Sequence, residues 1–384
     1  MPSPLKHQTL LAGLSGIGVL LAGFFALTKI APHVNALHWL LFAGGLWGFV
    51  WSELWKRLEL NRATPDTAVY PNLGWANWLT LLRGGLIALT GGFLFQPQAA
   101  GLIGWIPGLL YCVAAILDRM DGFVARRTWR TSVLGSELDT AYDALGLLIA
   151  PLLAVGYGKV HWSFLLVSVA YYIFVWGLYW RRTHNRPVYP LMPSMLRRTL
   201  AGFQMGLVAV VLLPCFYAPF TVIVALAFML PILLGFVVDW LVVSGRIRSE
   251  SAGAQQFFAR LAGFSRSIFQ PGLRAILCIS LALFLNKLDT PPAFLIGSLL
   301  LLGGIVLVGF AGRVGALAIL ALLGLILRAQ PLDTITATII FSSAWLILLG
   351  TGRFSLWQWD DHWVNRRDGE ARHEENLDGK NRHD

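Results

Sequence analysis

Charged residues and cysteines are both scarce in this chain. Only 13% of its 384 residues are Asp, Glu, Lys or Arg, whereas a soluble globular domain carries roughly 25%. The three cysteines, Cys112, Cys215 and Cys278, lie inside apolar stretches and have neither disulfide-framework nor zinc-site spacing. We therefore exclude a soluble globular domain and a disulfide-stapled fold, and we interpret the cysteines as packing residues.

Long apolar runs take the place of the missing charge. Hydrophobic residues make up 56% of the chain, and a run of about 18 or more can cross a bilayer as a helix. The first run, from about Leu10 to Ile30, lacks a small-residue cleavage site, so we expect a retained helix and not a signal peptide. The runs predict an all-α, polytopic transmembrane helical bundle. The predicted helices are 9–30, 36–55, 75–95, 100–118, 134–156, 161–180, 199–217, 219–244, 272–286, 291–311, 313–331 and 333–352.

Basic residues are distributed unevenly between the two ends of these helices. Excess Lys and Arg mark the cytoplasmic side of a membrane protein. With the N-terminus inside, the outer loops hold only Lys29, Lys159, Lys287 and Arg328. The pattern predicts twelve spans in a bacterial-type inner (plasma) membrane. We attribute the net charge of +10 to attraction to the anionic headgroups of the lipid bilayer, and we expect no nucleic-acid partner because no soluble basic face is evident.

Two pairs of aspartates stand out against this apolar background. Asp118 and Asp121 lie three residues apart at the end of one predicted helix, and Asp139 and Asp143 lie four apart on one face of the next. A short cytoplasmic loop joins the two helices, so the four carboxylates can meet. A solvated loop with scattered acids would explain the first pair but not the second, which begins an apolar helix.

Four clustered carboxylates at a membrane boundary repel one another and require a cation. Hard oxygen ligands suit Mg²⁺, Mn²⁺ or Ca²⁺, and a substrate phosphate commonly completes the coordination of Mg²⁺. Gly122 and Gly135 would let a nucleotide approach the backbone, and Arg126 can pair with a phosphate through two hydrogen bonds. The pattern therefore predicts metal-assisted chemistry on a phosphate ester.

These residues resemble a known family. The spacing Asp118-x2-Asp121-Gly122-x2-Ala125-Arg126-x8-Gly135-x3-Asp139-x3-Asp143 matches the signature of the CDP-alcohol phosphatidyltransferases at every position. Upstream, Asn77-Trp-Leu-Thr80-Leu-Leu-Arg83 is similar to the segment at the family's first core helix. The resemblance covers about 72–245, where six predicted helices equal the number in the family core.

The resemblance implies a set of site residues and partners. Asp118, Asp121 and Asp139 would hold Mg²⁺ or Mn²⁺, with Asp143 close to a second ion and acting as general base on the acceptor hydroxyl. The residues implied to line the CDP site are Thr80, Gly122, Ala125, Arg126 and Gly135. We expect a CDP-lipid donor, a polar alcohol acceptor, an active site facing the cytoplasm and a homodimer formed through the core helices.

The acceptor is less well defined. Arg197 and Arg198 stand at the cytoplasmic start of a core helix, where an Arg fork suits phosphate or carboxylate recognition, and ordinary positive-inside charge explains them equally well. Our leading interpretation is a phospholipid-synthesis enzyme that uses CDP-diacylglycerol or a similar donor. Ala125-Arg-Arg-Thr128 is also similar to CDP-choline and ethanolamine phosphotransferases, although Thr140 stands where those enzymes carry His. A third reading is a transporter or a non-catalytic membrane protein. Retention of all four aspartates argues against an inactive relative, and the lack of charges in the central parts of the apolar runs argues against a transporter.

The segments outside the core carry weaker signals. We predict a domain order of 1–71 (two extra helices), 72–245 (core), 246–271 (interfacial linker), 272–359 (four-helix module) and 360–384 (polar disordered tail). The linker has an apolar helical pattern interrupted by Arg260 and Arg266, which is typical of a helix in the membrane interface. The motifs Gly309–Leu317 and Gly350–Leu356 resemble a DoxX-type membrane module, and generic apolar helices that support the core explain them equally well. We interpret Arg313 as a boundary charge that fixes topology.

Overall fold

The described part of the chain is helical almost throughout. The structure, a computed structural model, describes residues 2–128, 130–191, 195–248, 251–288, 292–327 and 332–364. Within these ranges there is no β-strand, only an isolated bridge between Phe310 and Trp357. The predicted all-α polytopic bundle is confirmed.

Contacts divide the chain into two compact units, and the first contains residues 1–157 and 208–214. Tryptophans of its second helix donate to backbone carbonyls of neighbouring helices: Trp51 Nε1 to Thr9 O at 3.0 Å and Trp39 Nε1 to Leu89 O at 3.2 Å. The extra N-terminal helices are thereby fastened to the predicted core. The helices that lie wholly in this unit are α1 (Ser3–Ile30), α2 (Ala36–Lys56), α3 (Trp75–Gly91), α4 (Ile106–Arg127) and α5 (Val133–Gly156).

The second unit contains residues 158–207 and 215–366. In it, α13 packs against α8, α10 and α12, and Arg274 donates to the carbonyls of Val306 (3.0 Å) and Thr351 (3.3 Å). The remaining helices are α6 (Leu165–Thr183), α7 (Met195–Val211), α8 (Phe220–Val243), α9 (Ala252–Phe264), α10 (Gln270–Lys287), α11 (Ala293–Val308), α12 (Gly312–Leu327), α13 (Thr334–Leu349) and the short α14 (Trp359–Val364). Of these, α7 runs from this unit into residues 208–211 of the first.

Six helical stretches in the described ranges are long and apolar enough to cross a membrane, which marks an integral membrane protein. They are Ser3–Ile30, Gly101–Ala125, Val133–Gly156, Trp162–Thr183, Phe220–Val243 and Ala252–Lys287. Helices α11, α12 and α13 are apolar but have only 16 residues each. The twelve predicted apolar helices are all present, while their number as membrane spans stays a prediction.

Several predicted helix boundaries differ from those of the structure, and two of the differences are informative. Helix α4 begins at Ile106, after a 3-10 turn at Gly101–Trp105, and continues to Arg127 instead of ending at 118. The linker and the short helix after it form one helical stretch, Ala252–Lys287, through a π-helical turn at Ser265–Phe269. Arg260 and Arg266 interrupt the apolar pattern but not the backbone hydrogen bonding. The sequence pattern therefore predicted a separate linker and helix where the backbone forms one continuous helical stretch.

The topological role of Arg313 stays a prediction, and the structure adds partners inside the protein. Arg313 is buried, and its Nε and Nη1 donate to Asp361 Oδ1 at 2.5 Å and to Ile347 O at 2.6 Å. Its backbone N donates to Asp360 Oδ2 at 2.7 Å. Residues 360–364 of the predicted tail thus belong to α14, and residues 365–384 lie outside the described ranges.

Lys159 differs from an ordinary loop lysine. Its ammonium donates to Phe216 O and lies 5.2 Å from the ring centre of Tyr217, with only 5% of the residue exposed. Burial lowers the pKa of Lys159. Arg328, another residue of the predicted outer loops, lies outside the described ranges.

Candidate metal and nucleotide site

The two aspartate pairs meet where α4 and α5 pack near α3. The turn before α5 is fixed by Ser132, whose Oγ accepts from Gly135 N at 3.0 Å and caps the helix. One turn later Asp139 and Asp143 share a face of α5. One carboxylate oxygen from each of Asp118, Asp139 and Asp143 lies within 4.8 Å of the other two. The structure thus brings together three of the four predicted metal ligands.

A fifth residue, Arg83 of α3, lies among these carboxylates. Its Nη1 contacts Asp118 Oδ1 and lies 2.8 Å from Asp139 Oδ1, while its Nη2 lies 3.1 Å from Asp143 Oδ1. Nη1 is also 3.5 Å from Asp121 Oδ2. The side chain is 0% exposed, so one guanidinium that is shielded from solvent faces four carboxylates. Sequence reasoning quoted Arg83 but gave it no role, although a charged residue inside an apolar helix was the available signal.

Asp121 differs from the other three aspartates. Its Oδ2 accepts from Thr80 Oγ1 at 2.9 Å and its Oδ1 from Gly122 N at 2.6 Å. Its side chain is 9% exposed, whereas those of Asp118, Asp139 and Asp143 are 30%, 45% and 44% exposed. Asp121 is therefore held from inside the bundle while the other three open outward. Its role as a ligand stays a prediction, as does the role of Thr80 in binding CDP.

Asn77 is a second residue that sequence reasoning left without a role. Its Nδ2 donates to Leu73 O at 2.8 Å and to Asn61 Oδ1 at 3.1 Å, and its Oδ1 accepts from Ser132 Oγ at 3.1 Å. A Cβ on Gly135 would lie 2.7 Å from Asn77 Oδ1. Gly135 therefore leaves room for the amide that ties α3 to the start of α5, in addition to its predicted place beside the nucleotide.

The remaining predicted site residues lie on two helices, α4 and α7. Gly122 and Ala125 follow Asp121 on α4, and Arg126 is on the same helix but its side chain lies outside the described part of the structure. Arg197 of α7 pairs with Asp239 through two hydrogen bonds of 2.7 Å, and Arg198 is exposed. Their predicted contact with the acceptor stays a prediction.

The donor set fits a hard divalent cation. Asp118, Asp139 and Asp143 supply carboxylate oxygens alone, the ligand type that Mg²⁺ and Mn²⁺ prefer. Asp143 Oδ1 is buried and forms no hydrogen bond with any described residue. It lies 3.1 Å from Arg83 Nη2, so its contact there is an ion pair. An under-satisfied buried carboxylate oxygen with two neighbouring carboxylates is chemically suited to ligate a metal ion.

Comparison with known proteins supports the family resemblance. Residues 73–237 match the family model described as CDP-alcohol phosphatidyltransferase, and this segment contains the whole aspartate motif. The resemblance drawn from the motif is thereby confirmed for that part of the chain, which is less than half of it, and the match supports the enzyme class, a CDP-alcohol phosphatidyltransferase. Neither a search of curated proteins nor a search of solved structures gives a match.

Proposed function

We propose that this protein is a metal-dependent phosphatidyltransferase of phospholipid synthesis. It would move a phosphatidyl-type group from a CDP-lipid such as CDP-diacylglycerol to the hydroxyl of a polar alcohol, with release of CMP. The observation that carries the proposal is the convergence of Asp118, Asp139 and Asp143 within 4.8 Å inside the segment that matches the family. The proposal includes Mg²⁺ or Mn²⁺ at two positions, an inner-membrane site facing the cytoplasm, and a homodimer.

Asp118, Asp121 and Asp139 would hold one metal ion, and Asp143 would lie close to a second. The bound cation would neutralise the pyrophosphate and the CMP that leaves. Their carboxylates come from two helices, so the positions of the ligands are set by the packing of α4 on α3 and of α5 on α3. Thr80 keeps Asp121 in place from α3, which makes that helix part of the site although it contributes no carboxylate.

Asp143 is proposed as the general base. Its side chain is 44% exposed, so a hydroxyl can approach it from outside, while its Oδ1 is buried next to Arg83 Nη2. In the transfer the acceptor oxygen would bond to the phosphorus that carries the lipid, and the bond from that phosphorus to the CMP oxygen would break. Asp143 would take the hydroxyl proton, and CMP would leave with the negative charge.

The experiment is a transfer assay with the full chain in lipid nanodiscs. Labelled CDP-diacylglycerol is supplied with Mg²⁺ and a panel of polar alcohols, phosphorylated and not, and the lipid products are identified by mass spectrometry. We expect CMP release that depends on one acceptor and is lost in Asp139→Asn. Transfer from CDP-choline or CDP-ethanolamine to a lipid alcohol would establish the alternative. If CMP is released from neither kind of donor, the result would contradict an enzymatic role.

A further inference from the structure

The guanidinium of Arg83 contacts the same carboxylates that the metal site requires. It approaches Oδ1 of Asp118, Asp139 and Asp143, at 2.8 and 3.1 Å for the last two. These are the three residues whose oxygens lie close enough together to hold one ion. A divalent cation placed among them would stand within a few ångströms of a full positive charge, and at such separations like charges repel strongly.

The cluster carries more negative charge than Arg83 can balance. Four carboxylates face one guanidinium, and the guanidinium is completely buried. Removing Arg83 would leave these carboxylates facing each other without a resident cation, and like charges at such separations repel. Arg83 thus neutralises part of the carboxylate charge that a divalent ion would otherwise neutralise.

Arg83 is held in a way that permits a change of partners. Its Nη2 donates to the backbone carbonyl of Asp139 at 3.0 Å, a contact that does not depend on any carboxylate. Its Nε is buried and has no hydrogen-bond partner among the described residues. The side chain can give up carboxylate oxygens while it keeps its anchor on the α5 backbone.

We propose that Arg83 is a built-in counter-ion that competes with the divalent cation for Asp118, Asp139 and Asp143 and so lowers the affinity of the metal site. The proposal rests on the metal site of the proposed function. In it Arg83 is a positioning residue: it holds the carboxylates together and yields their oxygens as the ion enters. Metal binding and the contacts of Arg83 are then coupled, and each weakens the other.

The test measures metal binding without turnover. The full chain in detergent is treated with EDTA, desalted and titrated with Mn²⁺ by electron paramagnetic resonance, as wild type, Arg83→Gln and Arg313→Gln. The last variant is the matched control, because Arg313 is a buried arginine with an aspartate partner in a different unit of the chain. Thermal unfolding of each protein is followed with and without Mn²⁺.

We expect Arg83→Gln to bind Mn²⁺ about tenfold more tightly than wild type, in the range usual for coupled sites. Its Tm in EDTA should fall, and Mn²⁺ should raise that Tm by more than it raises the wild-type value. Arg313→Gln should lose Tm but keep the wild-type Mn²⁺ affinity. Where Arg83→Gln yields no folded protein, Arg83→Lys carries the test, because a single ammonium cannot span all the carboxylates and should also tighten Mn²⁺ binding.

Two results would overturn the proposal, and they are distinguishable. Unchanged or weaker Mn²⁺ binding in the Arg83 variants, with saturable binding in wild type, would show that Arg83 supports the metal and does not compete with it. Absence of saturable Mn²⁺ binding in every protein would overturn the metal assignment of the proposed function, and the competition with it.

Discussion

Two buried arginines in this molecule have opposite electrostatic surroundings. Arg83 in the first unit faces four carboxylates. Arg313 in the second unit forms an ion pair with one, Asp361, and donates to the carbonyl of Ile347. The Arg313–Asp361 pair is closed off from solvent, with side chains 7% and 15% exposed, and Asp361 also accepts from Thr351 Oγ1 at 3.1 Å. The Arg83 site has more carboxylates than arginines, and its carboxylates are partly exposed.

The difference sets the proposed metal site apart from a structural ion pair. A balanced buried pair has its charge and hydrogen bonds satisfied within the protein, so it needs no ligand. An excess of carboxylate at a boundary is tolerated where another cation is available. Arg274 extends the contrast, because backbone carbonyls such as those of Val306 and Thr351 satisfy it. Substitutions at the two sites should therefore affect different properties.

The largest expected effect is on turnover at the carboxylate cluster. Asp143→Asn should keep the fold and lower kcat by about 10²–10⁴, the usual cost of losing a general base. Asp361→Asn, its matched control in the second unit, should change Tm and leave the kcat of the folded protein near wild type. Initial rates of CMP release and thermal melts of both variants make the comparison. Near-wild-type turnover in Asp143→Asn would remove Asp143 from the base role.

The next effect is on stability at the balanced pair. Arg313→Gln leaves Asp361 without its charged partner in a site where the two side chains are only 7% and 15% exposed. Breaking a buried pair in this way costs about 3–5 kcal/mol, which a denaturant or thermal melt in detergent would detect. The double variant Arg313→Gln with Asp361→Asn should recover part of the loss. No recovery would mean that the hydrogen bonds to backbone, and not the ion pair, stabilise this region.

A smaller effect on stability is expected at Gly135, which lies beside the residues that support the start of α5. A methyl group at Gly135 would overlap Asn77 Oδ1, so Gly135→Ala should cost about 1–3 kcal/mol, as overpacking does. Because α5 carries Asp139 and Asp143, turnover should fall together with Tm. Asn77→Ala in the Gly135→Ala background removes the overlapping atom and should restore Tm in part. An unaffected Tm in Gly135→Ala would show that the amide moves aside freely.

The helices and the aspartate pairs could be predicted from the sequence, whereas the partners of the buried arginines could not. Apolar helices satisfy their own backbone hydrogen bonds, so local runs predict them well in a membrane. The aspartate spacing placed Asp139 and Asp143 on one face without knowledge of the rest. The partners of Arg83 and Arg313 could not be read in this way, since both arginines lie in apolar helices. Arg83 meets carboxylates from 35 to 60 residues further along the chain, and only the packing of the helices decides which partner each arginine finds.

The smallest expected effect concerns the acceptor, where Arg197 and Arg198 provide an internal comparison. The fork of Arg197 is engaged by Asp239, whereas Arg198 is exposed. An anionic acceptor would have to compete with Asp239 for Arg197, so Arg198 is the better candidate to bind it. Arg198→Ala should cost about 1 kcal/mol, as exposed charge contacts do, or about a fivefold rise in the KM for the acceptor. The KM for the CDP donor should not change.

Arg197→Ala should instead lower Tm, because it leaves the carboxylate of Asp239, which is 16% exposed, without its partner. Steady-state kinetics in each substrate, with melts of both variants, separate these outcomes. A rise in the donor KM in both variants would assign the pair to the nucleotide or the lipid surface. Unchanged kinetics in both would leave Arg197 as a structural partner of Asp239 and Arg198 as a topology signal. A neutral acceptor would then be the better hypothesis, because no fixed cation on α7 would be needed to recognise it.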